Sequence, residues 1–189
     1  MQIFTLLNTY KTHENELRTI LDFITPDLCH DKVYSPQIAK HLLNSGSFFE
    51  ATCKEIGRYY GGNLNSMSEY KDTLLHNFPR IIEFEAQISL NNRIIKPLDG
   101  WDIGKLSWWS DYNSVKHDYF KNINKGYLDS ALKAFASYLI TVLYLGYLEN
   151  NKVCPDIPTS LAPTLIRPKN YKSNGFFNGG FFVGYSVLE

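Results

Sequence analysis

The sequence predicts a mainly α-helical fold: a helical bundle of about four or five helices with a small β-hairpin insertion and a β-like C-terminal tail. Three observations predict it. From Leu128 to Glu149, Leu128, Leu132, Phe135, Leu139 and Val142 recur on one helical face, and Ala131, Tyr138 and Leu145 widen it. Just upstream, the run from Trp108 to Phe120 sets Trp108, Tyr112, Val115 and Tyr119 at i, i+4, i+7 and i+11, an aromatic core face. Before that run the period changes to two: Ile82, Phe84, Ala86, Ile88 and Leu90 alternate with Glu83, Glu85, Gln87 and Ser89, as in a half-buried strand.

In chain order, Met1 to Leu7 is expected as a short strand or a loose arm. A first helix is expected to start at Thr12, with Leu17, Ile20, Leu21 and Ile24 on its face and Pro26 as its end. Ser35-Pro36 is a capping serine followed by proline at the first helical position. The helix it opens carries Ile38, Leu42, Leu43, Phe49 and Ile56. At Ser45-Gly46-Ser47, small residues either kink it or let another helix approach. Gly61-Gly62-Asn63 stops it. Ser66 or Ser68 caps a shorter helix with Tyr70, Leu74 and Leu75 on its face, ending near Pro79.

The hairpin, near residues 81–97, turns at Asn91-Asn92, returns through Arg93-Ile94-Ile95-Lys96 and stops at Pro97. It is read as an insertion in a helical domain spanning residues 1–150. Asn124-Lys125-Gly126 separates the two central, antiparallel helices, and Asn150-Asn151 ends the second. The broad apolar stripe of that second helix predicts contact on two sides, in the middle of a bundle or at a dimer interface. From Cys154 onward, Pro155, Pro158, Pro163 and Pro168 exclude long helices. Residues 151–189 are expected as a Pro-rich extended segment and an aromatic hairpin turning at Asn178-Gly179, packed on the same domain. This tail either extends the sheet of the first hairpin or offers an apolar edge to another chain.

Composition narrows the function. Over 189 residues, hydrophobic content is 44% and charged content 20%, normal for a globular protein. The formal net charge is zero, which argues against a general nucleic-acid binder while allowing a local patch. Cys29, Cys53 and Cys154 are far apart, odd in number and without Cys-x-x-Cys spacing, so they read as reduced thiols. The N-terminus lacks a basic, long-apolar leader pattern. Leu139 to Leu148, bounded by Lys133 and Glu149, is shorter than a membrane span. A cytoplasmic protein without a membrane partner is expected. His13, His30, His41 and His76 show no metal-ligand spacing with each other or with the cysteines, so neither metal nor cofactor is expected. There is no phosphate-binding glycine loop and no Gly-x-Ser-x-Gly elbow. Asp99, Asp102 and Asp111 lie in or near turns, Asp111 as a first-turn or cap residue, and none is assigned chemistry.

The candidate site lies in the Trp-rich run. Asn113 and His117 are four apart and share a face, with Ser110 and Lys121 close to it. A Trp-rich start, then Tyr112-Asn113-Ser114-Val115-Lys116-His117-Asp118, then the Ala/Leu-rich helix from Leu128, resembles the HEPN superfamily of small α-helical proteins. Tyr34-Ser35-Pro36-Gln37-Ile38 leading into Phe49-Glu50-Ala51-Thr52-Cys53-Lys54-Glu55-Ile56 resembles the earlier helix of such domains. The likeness covers roughly residues 10 to 150.

That resemblance implies metal-independent RNA cleavage by an Arg-polar-x-x-x-His motif, with two copies facing each other in a homodimer. It implies an RNA substrate and, in a toxin-antitoxin or defence setting, a cognate antitoxin or regulatory protein. Asn113 matches the polar position and His117 the histidine. The arginine position holds Tyr112, a degenerate motif, because a phenol lacks the charge and the bidentate donors of a guanidinium. Lys116 could supply a charge but points away from His117. Two other function classes stay open: a catalytically inactive HEPN-like binding or regulatory module, and an unrelated α-helical interaction domain.

Overall fold

A computed structural model describes residues 3–170, 172–177 and 180–188, and for 172–177 and 180–183 it describes the backbone alone. The fold is mainly helical, with small antiparallel sheets built largely from the C-terminal segment.

The first helix, α1, spans Ile3–Leu21. Residues 3–7 are therefore helical, not a strand or arm, and Thr12 lies inside the helix. Its apolar face is Ile3, Leu6, Leu7, Tyr10, Leu17 and Leu21, at helical spacing, with buried His13 and Glu14 in the gap. Thr9, Thr12 and Thr19 each donate a hydroxyl to the carbonyl four residues back, which satisfies these side chains without a cap. The helix ends at Leu21, ahead of Pro26.

α2 (Pro36–Tyr59) starts as expected: the Ser35 hydroxyl accepts the Ile38 N–H at 3.2 Å and Pro36 occupies the first turn. The helix runs unbroken through Ser45-Gly46-Ser47, where the small residues admit another helix. A Cβ on Gly46 would sit 2.5 Å from the Tyr112 ring. Gly61, at φ +78°, turns the chain after the helix. α3 (Met67–Asn77) has a full capping box, Ser66 accepting the Glu69 N–H and Glu69 accepting the Ser66 N–H.

The predicted strand from Ile82 to Leu90 is mostly replaced. Pro79–Glu83 is a 3-10 helix that carries Ile82, Leu90 is exposed in the turn, and β1 is only Ala86–Ile88. Pro79 presets the helical φ at the first position, and this local bias wins over alternation. The burial alternation itself survives at Phe84, Ala86 and Ile88. β2 (Ile94–Ile95) returns antiparallel, Ala86 opposite Ile95, after a turn in which Asn92 takes φ 59°.

α4 (Ser107–His117) is shorter than the Trp-rich run. Trp108, Tyr112 and Val115 are buried on one face, but Tyr119 falls beyond its end. The break is Asp118, which is extended (φ −149°, ψ 83°) and caps a separate one-turn helix, α5 (Tyr119–Asn122), by accepting the Lys121 N–H. Asp111 is not a cap; it accepts the Ser130 hydroxyl at 2.5 Å, tying α4 to the last helix.

That helix, α6 (Leu128–Glu149), is the axis of the fold. Nearly every residue from Leu128 to Leu148 is buried, against α1, α2, α4 and the C-terminal segment. Its broad apolar surface is consumed within the chain, as in the middle of a bundle. By length and composition it could cross a membrane, contrary to the estimate from Leu139 to Leu148 alone, but 94% of its most apolar window is buried inside the protein. The buried Thr52 and Thr141 hydroxyls meet at 2.5 Å between α2 and α6.

The C-terminal segment forms β3 (Ile157–Pro158), β4 (Ile166–Pro168), β5 (Lys172–Phe177) and β6 (Gly180–Gly184). β4 pairs antiparallel with β1, Ile88 opposite Ile166, making the sheet β2-β1-β4. The Pro-rich segment, not the aromatic hairpin, thus extends the first sheet. β5 and β6 pair antiparallel with Phe177 opposite Gly180, and β3 joins them as β3-β6-β5. The predicted turn residues Asn178 and Gly179 lie outside the described residues.

Two polar clusters pin this arrangement. The fully buried Glu14 carboxylate accepts the N–H groups of Thr164 and Leu165, each at 2.7 Å, the Thr164 hydroxyl and the Lys11 ammonium. Arg93 forks onto Asp31 at 2.6 and 3.1 Å and reaches Asp129 at 3.0 Å, joining the hairpin to the start of α6.

Candidate functional site

α4 packs across the middle of α2 because Gly46 leaves room for the Tyr112 ring. This crossing places every candidate side chain of the Trp-rich run. Trp108 is buried, stacks edge-on with Phe49 and donates its indole N–H to the Pro97 carbonyl at 3.1 Å. The paired tryptophans thus belong to the core and to the hairpin exit.

Tyr112 is fully buried up to its hydroxyl, which donates to Glu50 Oε1 on α2 at 2.5 Å and lies 3.3 Å from the Ser47 hydroxyl. Burial, then the bond to Glu50, push the phenol above its usual pKa, so it is neutral at physiological pH. Lys116 reaches the same Glu50 oxygen at 2.9 Å and stands 4.9 Å from the centre of the Tyr112 ring. Partial burial works against its charge, but Tyr112 and Glu50 outweigh it and hold the ammonium above its usual pKa. Both stand-ins for the missing arginine therefore converge on one carboxylate, on the α2 side of the helix.

Asn113 is half-buried and His117 is exposed at the last position of α4. Neither side chain has a hydrogen-bond partner among the described residues. They share the outer face, one turn apart, while Lys116 turns towards α2. Phe120, just past the break at Asp118, is 92% exposed. Asn113 and His117 thus lie together at the surface, and Tyr112 and Lys116 lie apart from them.

Sequence spacing missed two groupings. Glu50 is invisible as the partner of Tyr112 and Lys116, because it lies 62 residues before Tyr112 and depends on the helix crossing. The other is His13, Glu16 and His41, whose ligand atoms all lie within 4.8 Å of one another, although no metal-ligand spacing links the histidines. Half of it was legible: His13 and Glu16 are three apart on one helix. His41 arrives only through the packing of α2 on α1.

Beside that cluster is an apolar groove of about 640 Å³ between the end of α1 and the start of α2, lined by Ile20, Phe23, Ile24, Val33 and Ile38, with Glu16, Lys40 and His41. The three cysteines are free; Cys53 is buried, and desolvation pushes its thiol pKa well up, which makes it inert as a nucleophile. Comparison with models of known protein families, with curated proteins and with solved structures finds no match.

Proposed function

We propose that this chain is a HEPN-like helical module that binds or regulates rather than cleaves. The observation that carries the proposal is the capture of both Tyr112 and Lys116 by Glu50. Metal-independent RNA cleavage needs a cation on the scissile phosphate to offset charge in the transition state. Here a neutral phenol stands at the arginine position, and the Lys116 ammonium is paired to a carboxylate that would repel a phosphate. A zero net charge also removes the broad attraction that concentrates RNA on a surface.

The module works as a homodimer or with a cognate regulatory protein in the cytoplasm, through the outer face of α4. Exposed Phe120, on the one-turn helix that follows α4 and three residues after His117, offers an apolar anchor near the end of that face. The second reading, a metal-independent endoribonuclease, is favoured by one observation: Asn113 and His117 face outward together without hydrogen-bond partners among the described residues, as a proton-transfer pair on a 2′-hydroxyl would.

The test is RNA cleavage by purified protein in the presence of chelator, comparing wild type with His117→Ala, alongside the solution mass. The module predicts no cleavage by either, and its homodimeric form predicts a dimer mass. Cleavage by wild type that is lost in His117→Ala would establish the nuclease instead. A monomer at micromolar concentration would remove the homodimer.

A further inference from the structure

Three of the four imidazole nitrogens of His13 and His41 are buried polar atoms without a hydrogen-bond partner among the described residues. His13 is on α1 and His41 on α2, their ring centroids 6.0 Å apart and edge-on. His41 is 2% exposed. Among the described residues, neither ring nitrogen of His41 has a hydrogen-bond partner, nor does Nδ1 of His13. Buried polar groups without partners are rare, because each has lost its water without compensation. Packing of His13 on Phe48 at 4.6 Å and of His41 on Phe135 at 5.1 Å accounts for the ring faces, not for the nitrogens.

A carboxylate completes the set. Glu16, one turn after His13, brings an oxygen to 3.2 Å from His13 Nδ1, near but not aligned as a hydrogen bond. Its other oxygen is 4.0 Å from the Lys40 ammonium. Burial holds the His41 imidazole down at about 3, and burial also lowers His13, against the pull of Glu16. Both rings are therefore neutral at physiological pH, with lone pairs to offer.

We propose that His13, Glu16 and His41 form a binding site for a divalent first-row transition ion, with Zn²⁺ the first candidate. Two imidazoles and one carboxylate are a donor set suited to such ions, whereas Ca²⁺ and Mg²⁺ take all-oxygen shells. The ligand atoms lie within 4.8 Å of one another, wider than the roughly 3.4 Å that bonds of about 2.1 Å imply around a tetrahedral ion. An ion would have to draw the ligands together; Glu16, 44% exposed and already 3.2 Å from His13 Nδ1, is free to adjust its rotamer, and the two imidazoles would have to approach as well. Glu16 and His41 both line the apolar groove, which gives the ion an entry path. Three protein ligands leave a further position for water or for a donor atom of a bound molecule. This site stands independently of α4 and of the proposed module.

The experiment uses the full chain, stripped with chelator, exchanged into chelator-free buffer and titrated with Zn²⁺ by calorimetry and with Co²⁺ by visible absorption. Wild type is expected to take up one equivalent of Zn²⁺ saturably. It should gain about 5 °C or more in Tm at a hundredfold excess over Kd, and show the d–d bands of protein-bound Co²⁺. Glu16→Gln should weaken binding at least about tenfold and His13→Gln or His41→Phe should abolish it, while His76→Gln, at an exposed residue elsewhere, should bind as wild type does. If His41→Phe does not fold, His13→Gln and the surface variant Glu16→Gln decide the matter. No saturable binding by wild type, or wild-type affinity in both Glu16→Gln and His13→Gln, overturns the site.

Discussion

The Tyr112 ring lies over Gly46, so close that a Cβ there would stand 2.5 Å from Cδ2, 2.6 Å from Cε2 and 2.9 Å from Cγ. One missing side chain on α2 therefore sets how near α4 comes and where its outer face points. Gly46→Ala gains about 1 kcal/mol of helix propensity but must push an aromatic ring out of a packed core, costing about 1–3 kcal/mol. A net loss of stability is expected in urea unfolding; an unchanged or higher midpoint would show that the crossing relaxes freely.

The same tyrosine donates to Glu50, a bond to a charged acceptor in a partly buried place. Tyr112→Phe keeps the ring over Gly46 and removes only the hydroxyl. It should cost about 1–2 kcal/mol, less than the loss of a wholly unpaired charge, because Lys116 still holds Glu50. The denaturant midpoint checks this.

Glu14 fastens the chain after Pro163 to α1 through two backbone N–H groups. Glu14→Ala leaves the buried Leu165 N–H and the partly buried Thr164 N–H without their acceptor, and Lys11 without its carboxylate. A loss of at least about 3 kcal/mol is expected. Limited proteolysis should show the segment around Thr164 released first. Equal protection in wild type and variant would contradict the pinning role.

Alkaline pH should loosen the fold through its buried phenols. Burial raises the pKa of Tyr70 to about 12, and raises Tyr138 and Tyr185 as well. Below about pH 10 these groups are neutral in folded and unfolded chains alike. Above it the unfolded chain releases protons that the folded chain keeps, so stability falls as pH rises. Urea midpoints at about pH 8 and about pH 11 measure the drop. The buried Tyr70 hydroxyl has no hydrogen-bond partner among the described residues. Tyr70→Phe should therefore be neutral or stabilising by up to about 1 kcal/mol near neutrality, and should lessen the alkaline loss.

Much of the helical architecture was readable one residue at a time. Ser35-Pro36 and the Ser66/Glu69 box are local hydrogen-bonding devices, and they start α2 and α3 where such devices should. The apolar period from Leu128 onward needs no partner to be recognised, and it marks α6. Asp118 shows the limit: its capping of α5 divides a run whose side-chain pattern continues to Tyr119. At the N-terminus, buried His13 and Glu14 interrupt the apolar pattern and hide the true start of α1, because their burial depends on groups from α2 and from the C-terminal segment.

The sequence by itself determined the helical class, the caps that start α2 and α3, the turn at Asn91-Asn92, and the placing of Asn113 and His117 one turn apart on a helix. These follow from bonds and periods within a few residues. Only the tertiary structure decided that Glu50 takes both Tyr112 and Lys116, that Ile166–Pro168 closes the first sheet, and that His41 meets His13 and Glu16. Each of those depends on the distance between elements far apart in the chain. That distance is set by close packing of shapes such as the Tyr112 ring on Gly46, which no local pattern encodes.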